Sequence, residues 1–130
     1  MTDKEKATAR RVLVVEDNVD AAETLQMLLS LSGYEARTAY DGASAVKLAR
    51  QFRPQAVFLD IGLPGKNGYD VARELRALPD TKGALLIALT GYDNDEDRER
   101  AASAGFDGYQ VKPVAPDVLE ALLAAHFHGR

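Results

Sequence analysis

Three short, uninterrupted apolar runs constrain the fold of this chain more than any other feature. They cover residues 12–15, 56–59 and 84–89. A run of four to eight apolar residues is typical of a strand buried on both faces, as in a parallel sheet. Residues 34–39 and 108–111 predict two weaker strands, and the polar composition of residues 34–39 favours a position at a sheet edge.

Each predicted strand is followed by a segment with helical spacing of apolar residues. These positions are Leu25, Leu28 and Leu29; Ala45, Ala49 and Phe52; Val71, Ala72, Leu75 and Leu78; Ala101, Ala102 and Ala104; and Leu119, Leu122 and Leu123. Asp17 or Asn18 can cap the first helix, and Pro116 suits the first turn of the last. Five strand–helix units predict an α/β domain with a doubly wound parallel sheet, covered by helices on both faces. A closed barrel of eight units needs about twice this length.

Composition excludes several classes of chemistry. The 130 residues contain no Cys, which excludes disulfides, thiolate metal sites and Cys nucleophiles. His126 and His128 are the two His, and their C-terminal position argues against a His triad. A net charge of −4 argues against direct nucleic-acid binding. Because no apolar run is long enough to span a bilayer and residues 1–11 are polar, we expect a cytoplasmic protein without membrane contact.

Polar residues follow four of the five predicted strands. They are Glu16, Asp17, Asp60, Thr90 and Lys112. In an open parallel sheet, ligands bind outside the carboxyl ends of the strands, so these side chains should share one edge. Each residue alone has an ordinary explanation, such as a helix cap at Asp17 or a solvated surface lysine at Lys112. Their joint placement favours a functional site.

Three carboxylates at one edge repel one another unless a cation joins them. Oxygen ligands without His or Cys suit a hard ion, so the residues predict Mg²⁺, for which Mn²⁺ could substitute. An Asp beside such an ion, Lys112 and a hydroxyl can act as a nucleophile toward a phosphoryl group, because that transfer needs mainly positioning and charge neutralisation. Other phosphate-binding motifs are missing: residues 62–67 lack P-loop spacing, and no dinucleotide glycine motif follows the first strand.

Four segments resemble the receiver domain of two-component response regulators, including the chemotaxis regulators. As they stand here, they are Val-Leu-Val-Val-Glu-Asp-Asn at 12–18, Phe-Leu-Asp-Ile-Gly-Leu-Pro at 58–64, Ala-Leu-Thr-Gly-Tyr at 88–92 and Gly-Tyr-Gln-Val-Lys-Pro at 108–113. The resemblance extends over about residues 10–127. It implies a flexible leader at 1–10, a receiver domain at 11–127, a tail at 128–130 and the flavodoxin-like strand order 2-1-3-4-5.

The resemblance also implies a role for each site residue. Asp60 is the implied phospho-acceptor, and Lys112 and Thr90 are its implied catalytic partners. In the implied metal site, Asp17 is a direct Mg²⁺ ligand and Glu16 holds metal-bound water. Asp60 and the backbone carbonyl of Gly62 complete this implied site. Thr90 and Tyr109 form the implied switch, and the peptide bond between Lys112 and Pro113 is implied to be cis. Gly62 and Tyr92 stand where the family tunes the lifetime of the acyl phosphate, with opposite effects that leave the net direction open.

These roles predict a signalling domain that catalyses only its own phosphorylation and dephosphorylation. The implied donor is a phosphohistidine on a sensor histidine kinase or a histidine phosphotransfer domain. The implied output surface consists of the fourth helix, fifth strand and fifth helix, and it would contact an unknown output protein. We expect a monomer or weak dimer, either a single-domain regulator or a receiver from a larger protein such as a hybrid histidine kinase.

Two other functions stay open at this point. An interaction-only receiver would keep the site without effective phosphorylation, and the complete set of acidic, hydroxyl and lysine residues argues against it. A small Mg²⁺-dependent phosphatase with an aspartyl nucleophile would typically carry a second Asp two residues after the first. This chain has Gly62 at that position.

Overall fold

Five strands and five helices alternate along residues 9–91 and 93–128, the part of the chain that the computed structural model describes. The strands are β1 (Arg11–Val15), β2 (Glu35–Ala39), β3 (Ala56–Asp60), β4 (Leu85–Thr90) and β5 (Gly108–Val111). The helices are α1 (Val19–Leu31), α2 (Gly42–Phe52), α3 (Gly68–Ala77), α4 (Asp95–Ala104) and α5 (Pro116–His128). Residues 1–8 of the predicted leader, and residues 129 and 130 of the predicted tail, lie outside the described part.

All five strands are parallel, and their order across the sheet is β2-β1-β3-β4-β5. This confirms the predicted doubly wound fold and the edge position of the polar second strand. The strands of the three apolar runs, β1, β3 and β4, occupy the centre. Their carboxyl ends meet at one edge of the sheet, where the polar residues of the predicted site follow.

Alternating side chains of the central strands feed two separate hydrophobic cores. Leu13, Val57 and Leu86 point to the face covered by α2, α3 and α4. Val12 and Phe58 belong to the opposite core, which α1 and α5 cover. Because both faces of the central strands are buried, these strands need continuous rather than alternating apolar residues.

Four helices begin with a side-chain cap next to the carboxyl edge of the sheet. Asn18, Asp41, Asn67 and Asn94 each accept a hydrogen bond from the backbone N–H three residues later, at 2.8–3.0 Å. Such caps satisfy backbone donors that the helix itself leaves open. Of the two predicted caps of α1, Asn18 takes the role, so the carboxylate of Asp17 is available to the predicted site.

Some predicted details are wrong. The sequence predicts the charged fourth helix over residues 93–105, but α4 begins at Asp95, because Asn94 caps it and leaves Asp93 in the preceding connection. Ala102 is exposed, whereas Ala101 and Ala104 are buried as predicted. Leu78 lies just past α3 as its C-cap. None of the described helices has the length and apolar composition needed to cross a membrane.

Replacing Phe58 with Ala should destabilise the fold by about 3–5 kcal/mol, because the ring is fully buried and its removal leaves a cavity. Leu31→Ala is the matched control, since Leu31 is 79% exposed. Urea unfolding of both variants measures the difference. Equal losses for the two variants would contradict the assigned core.

Candidate functional site

The predicted site residues lie at the carboxyl ends of four neighbouring strands. Glu16 directly follows β1, Asp60 is the last residue of β3, Thr90 is the last residue of β4, and Lys112 directly follows β5. The β4–β5 edge is fixed by the backbone N–H of Lys112, which donates to the carbonyl of Thr90 at 2.7 Å. The sheet therefore brings together residues that are up to 96 positions apart in sequence.

Three carboxylates converge at this edge. Glu16, Asp17 and Asp60 each place a carboxylate oxygen within 4.8 Å of the other two. Glu16 and Asp60 are each only 6% exposed, whereas Asp17 is exposed. Since burial weakens solvation of the negative charges, this arrangement requires a cation nearby.

Lys112 supplies a positive charge to the two buried carboxylates. Its Nζ donates to Glu16 Oε1 at 2.5 Å and to Asp60 Oδ2 at 2.8 Å. Burial acts to lower the pKa of Lys112, but the hydrogen bonds to Asp60 and Glu16 outweigh it and raise that pKa above its ordinary value. Lys112 is therefore positively charged at neutral pH.

At Glu16, in contrast to Lys112, the effect of burial on the pKa outweighs that of the hydrogen bonds. Burial raises the pKa of the Glu16 carboxyl above its ordinary 4.5, against the lowering effects of Lys112 and the Asn18 backbone. The neighbouring Asp17 and Asp60 carboxylates add to the increase. Asn18 contributes through its backbone N–H, which donates to Glu16 Oε2 at 3.1 Å. Glu16 thus lies in a site with more negative charge than Lys112 alone compensates.

Both oxygens of Asp60 have a defined partner. Oδ1 accepts a hydrogen bond from the backbone N–H of Gly62 at 2.8 Å, and Oδ2 accepts from Lys112. A Cβ at position 62 would lie 3.4 Å from Asp60 Oδ1, an ordinary contact distance. Glycine is therefore not required there for packing, and it leaves the approach to the carboxylate open.

The two predicted switch residues share one face of the sheet. Tyr109 on β5 pairs in register with Ala88 on β4, and Thr90 lies two residues further along β4. Residues two apart on a strand point to the same face, so Ala88, Thr90 and Tyr109 lie on the side covered by α4. Thr90 is 4% exposed and Tyr109 is half-buried.

Two predictions about the surroundings of the site have different outcomes. The peptide bond between Lys112 and Pro113 is cis in the structure. Tyr92 lies outside the described residues, so its position relative to Gly62 stays a prediction.

Sequence analysis missed two contacts of this region. The backbone N–H of Asn18 carries no sequence signal, because almost any residue offers one. Arg98 on α4 lies over the ring of Tyr109, with its guanidinium carbon 4.7 Å from the ring centroid. The charge run at residues 93–100 predicts a solvated and weakly held helix, and it gives no sign of this contact.

The donor set fits a small hard cation. Within the described part of the chain, Glu16, Asp17 and Asp60 are the one group of three acidic or imidazole side chains close enough to share an ion. All the candidate ligands are carboxylate oxygens, the atoms that Mg²⁺ prefers over the nitrogen and sulfur ligands typical of zinc sites. An ion here would offset the negative charge that Lys112 leaves uncompensated.

Asp17→Asn should stabilise the fold in Mg²⁺-free buffer by up to about 1 kcal/mol, because it removes an exposed charge that repels Glu16 and Asp60. The same variant should lose most of the stabilisation by Mg²⁺, which for an intact site is about 2.7 kcal/mol at one hundred times the dissociation constant. Thermal unfolding with and without Mg²⁺ measures both effects. Asp80→Asn, at the α3–β4 connection, is the control; an Asp17→Asn protein that responds to Mg²⁺ as wild type does would refute the assigned ligand.

Mg²⁺ affinity should fall as the pH is lowered from neutral toward 4.5, and the fall should begin above the range of an ordinary Glu. The sign follows from the raised pKa of Glu16, since the proton competes with the ion for a carboxylate that accepts it early. Calorimetric titration across this pH range measures the affinity, with Glu16→Gln as the comparison. If the wild-type affinity stays constant until ordinary carboxylates protonate, the raised pKa is wrong.

Comparison with known proteins agrees with this geometry. The family profile described as response regulator receiver domain matches residues 12–124. The transcriptional regulatory protein PrrA of Mycobacterium tuberculosis is 43% identical over 124 residues, which cover 95% of this chain and 52% of PrrA. The chain therefore spans about half the length of the curated relatives it matches.

Solved structures show the same fold. The chemotaxis protein CheY4 of Vibrio cholerae has a TM-score of 0.85 and 27% identity, covering 89% of this chain and 97% of CheY4. The receiver domain of the sensor histidine kinase PA1611 from Pseudomonas aeruginosa has a TM-score of 0.81 and 32% identity, covering 90% of this chain and 96% of that one. That structure carries a magnesium ion coordinated in its active site cleft. Since the family profile covers most of the sequence and the observed strand order is the one it implies, this chain belongs to the receiver domain family of two-component response regulators.

Proposed function

We propose that this chain accepts a phosphoryl group on Asp60 from a phosphohistidine of a sensor histidine kinase or a histidine phosphotransfer domain. Phosphorylation and a requirement for Mg²⁺ are general to the receiver family. For this chain, the main support for the proposal is the set of groups that surround the Asp60 carboxylate. It is a buried carboxylate between Lys112 and two further carboxylates, with both oxygens oriented by hydrogen bonds.

The reaction is an in-line displacement at phosphorus. An oxygen of Asp60 forms the new O–P bond as the P–N bond to the donor histidine breaks, and the bonding pair of that bond leaves with the imidazole. Glu16, Asp17, Asp60 and the carbonyl of Gly62 would hold Mg²⁺, and the ion would supply positive charge to the phosphoryl oxygens. Lys112 exchanges its bond to Asp60 Oδ2 for a phosphoryl oxygen, because it is the cation already within 2.8 Å of that carboxylate. The backbone N–H of Gly62 keeps the other carboxylate oxygen oriented.

The donor approaches along α1. A groove of about 730 Å³ between α1 and α5 opens beside Glu16 and Lys112. Its walls include the apolar side chains of Leu25, Leu28 and Leu119. The exposed face of α1 adds large apolar side chains, among them Met27 at 58% exposure. An amphipathic helix that carries the phosphohistidine fits this surface, since apolar contacts give affinity and the groove leads to the acceptor.

The phosphoryl group then changes the α4–β5–α5 surface. It adds about −1.5 to −2 charges next to Thr90, whose hydroxyl donates to a phosphoryl oxygen. Tyr109 on the same sheet face moves with Thr90 and alters the surface that an output protein contacts. Gly62 and Tyr92 set the lifetime of the acyl phosphate through water access. In this proposal the protein acts as a monomer or weak dimer, and its chemistry is limited to its own phosphorylation and dephosphorylation.

Incubation with acetyl phosphate should label the wild-type protein on one carboxylate, and only with Mg²⁺ present. Asp60→Asn should abolish labelling because the amide cannot attack phosphorus, and Lys112→Ala should slow it because the transferred charge is less well neutralised. Intact-mass spectrometry measures the modified fraction, and Asp80→Asn should label as wild type does. Labelling that persists in Asp60→Asn would mean that the acceptor is a different residue.

A further inference from the structure

Helix α4 has few apolar contacts to the rest of the domain. Only Ala101 and Ala104 of its ten residues are buried, and both are small. Two arginines provide additional contacts. The guanidinium carbon of Arg98 lies 4.7 Å from the ring centroid of Tyr109 on β5, and that of Arg100 lies 4.4 Å from the ring centroid of Tyr69 on α3. These cation–π contacts attach α4 to its neighbours where large apolar side chains are scarce.

Arg98 also reaches the connection that follows Thr90. Its Nε donates to Asp93 Oδ1 at 2.8 Å, and Asp93 lies three residues after Thr90. This hydrogen bond, and to a smaller extent the charge on Asp93, raise the pKa of Arg98, so Arg98 is positively charged at physiological pH. One side chain therefore touches both the ring of Tyr109 and the segment that Thr90 leads into.

The sheet surface next to Tyr109 leaves space for its ring to move toward Thr90. Ala88 pairs with Tyr109 across the β4–β5 ladder, and Thr90 follows two residues along β4 on the same face. Because Ala88 ends at its methyl group, no long side chain of β4 separates the ring from Thr90. Thr90 is buried, whereas the Arg98 side chain is 48% exposed. A ring that moves inward toward Thr90 in the proposed switch would therefore leave the guanidinium and break the cation–π contact.

We propose that Arg98 is a positioning residue that holds Tyr109 in the unphosphorylated arrangement and so opposes activation. This inference rests on the proposed function, in which Tyr109 moves after Asp60 is phosphorylated. Asp93 orients Arg98, and any displacement of the connection after Thr90 pulls the guanidinium off the ring. The contact thereby couples Thr90 to Tyr109 through α4 as well as through the sheet.

Arg98→Ala should shift the resting population of Tyr109 toward its phosphorylated position about two- to fivefold, the range expected for an exposed cation–π contact. Arg98→Lys should restore most of the wild-type population, because it keeps a cation over the ring. Arg37→Ala is the matched control: Arg37 lies over Phe52 with a centroid distance of 4.6 Å, on the edge strand farthest from β5.

Fluorotyrosine labelling and ¹⁹F NMR measure the populations directly. The chain has five Tyr, and Tyr109→Phe identifies the resonance of Tyr109. We expect this resonance in unphosphorylated Arg98→Ala to move toward its position in acetyl-phosphate-treated wild type. The rate of labelling by acetyl phosphate should also rise, because less free energy is needed to reach the phosphorylated arrangement when Tyr109 already occupies it. An unchanged resonance, or an equal movement in Arg37→Ala, would overturn the proposal.

The two proposals fail in different ways. If wild type is never phosphorylated, the proposed function fails, and the resonance in unphosphorylated Arg98→Ala still reports on the contact itself. If wild type is phosphorylated but Arg98→Ala and Arg98→Lys behave identically to it, only the role of Arg98 is refuted. Should Arg98→Ala not fold, a wild-type Tyr109 resonance and labelling rate in Asp93→Ala, which removes the acceptor of the Arg98 hydrogen bond, would refute the role of Arg98.

Discussion

The ion pairs of Lys112 with Glu16 and Asp60 are the interaction on which the site depends. Parallel strands end at one edge of the sheet, so the fold forces Glu16, Asp17 and Asp60 together whether or not their charges are compensated. Lys112 enters from the neighbouring β5 and bridges the two buried carboxylates. One positive charge against three negative ones leaves the site short of positive charge. Burial is the main cause of the raised pKa of Glu16, and the neighbouring carboxylates add to it. The charge deficit suits the site to a hard cation.

The site and the proposed output surface, α4–β5–α5, differ in how firmly the rest of the domain holds them. The central strands are packed on both faces and hold Asp60 firmly. Helix α4 is instead held by two small buried residues and by polar contacts to tyrosine rings. A change in charge at the carboxyl edge of the sheet can therefore shift α4, because little apolar packing holds that helix in place. A firmly packed site and a weakly packed helix suit the proposed function, in which chemistry at Asp60 changes a surface that another protein recognises.

Much of the fold, and the placement of the main site residues, could be predicted from the sequence. Continuous apolar runs specify strands buried on both faces, and parallel strands put Glu16, Asp60, Thr90 and Lys112 at one edge. Contacts that depend on side-chain direction could not be predicted in this way. The choice of Asn18 over Asp17 as helix cap depends on local backbone geometry. The position of Arg98 over Tyr109 depends on how α4 packs, and its charge-rich sequence carries almost no periodic signal.

The most direct test of the account uses phosphoramidate, whose P–N bond resembles that of phosphohistidine. After incubation with Mg²⁺, borohydride reduces an aspartyl phosphate to homoserine, and peptide mass spectrometry identifies the converted residue. The account predicts conversion at residue 60 alone, and none when the metal is chelated. Conversion at another carboxylate, or none with Mg²⁺ present, would contradict the assignment of Asp60 as the phosphoryl acceptor.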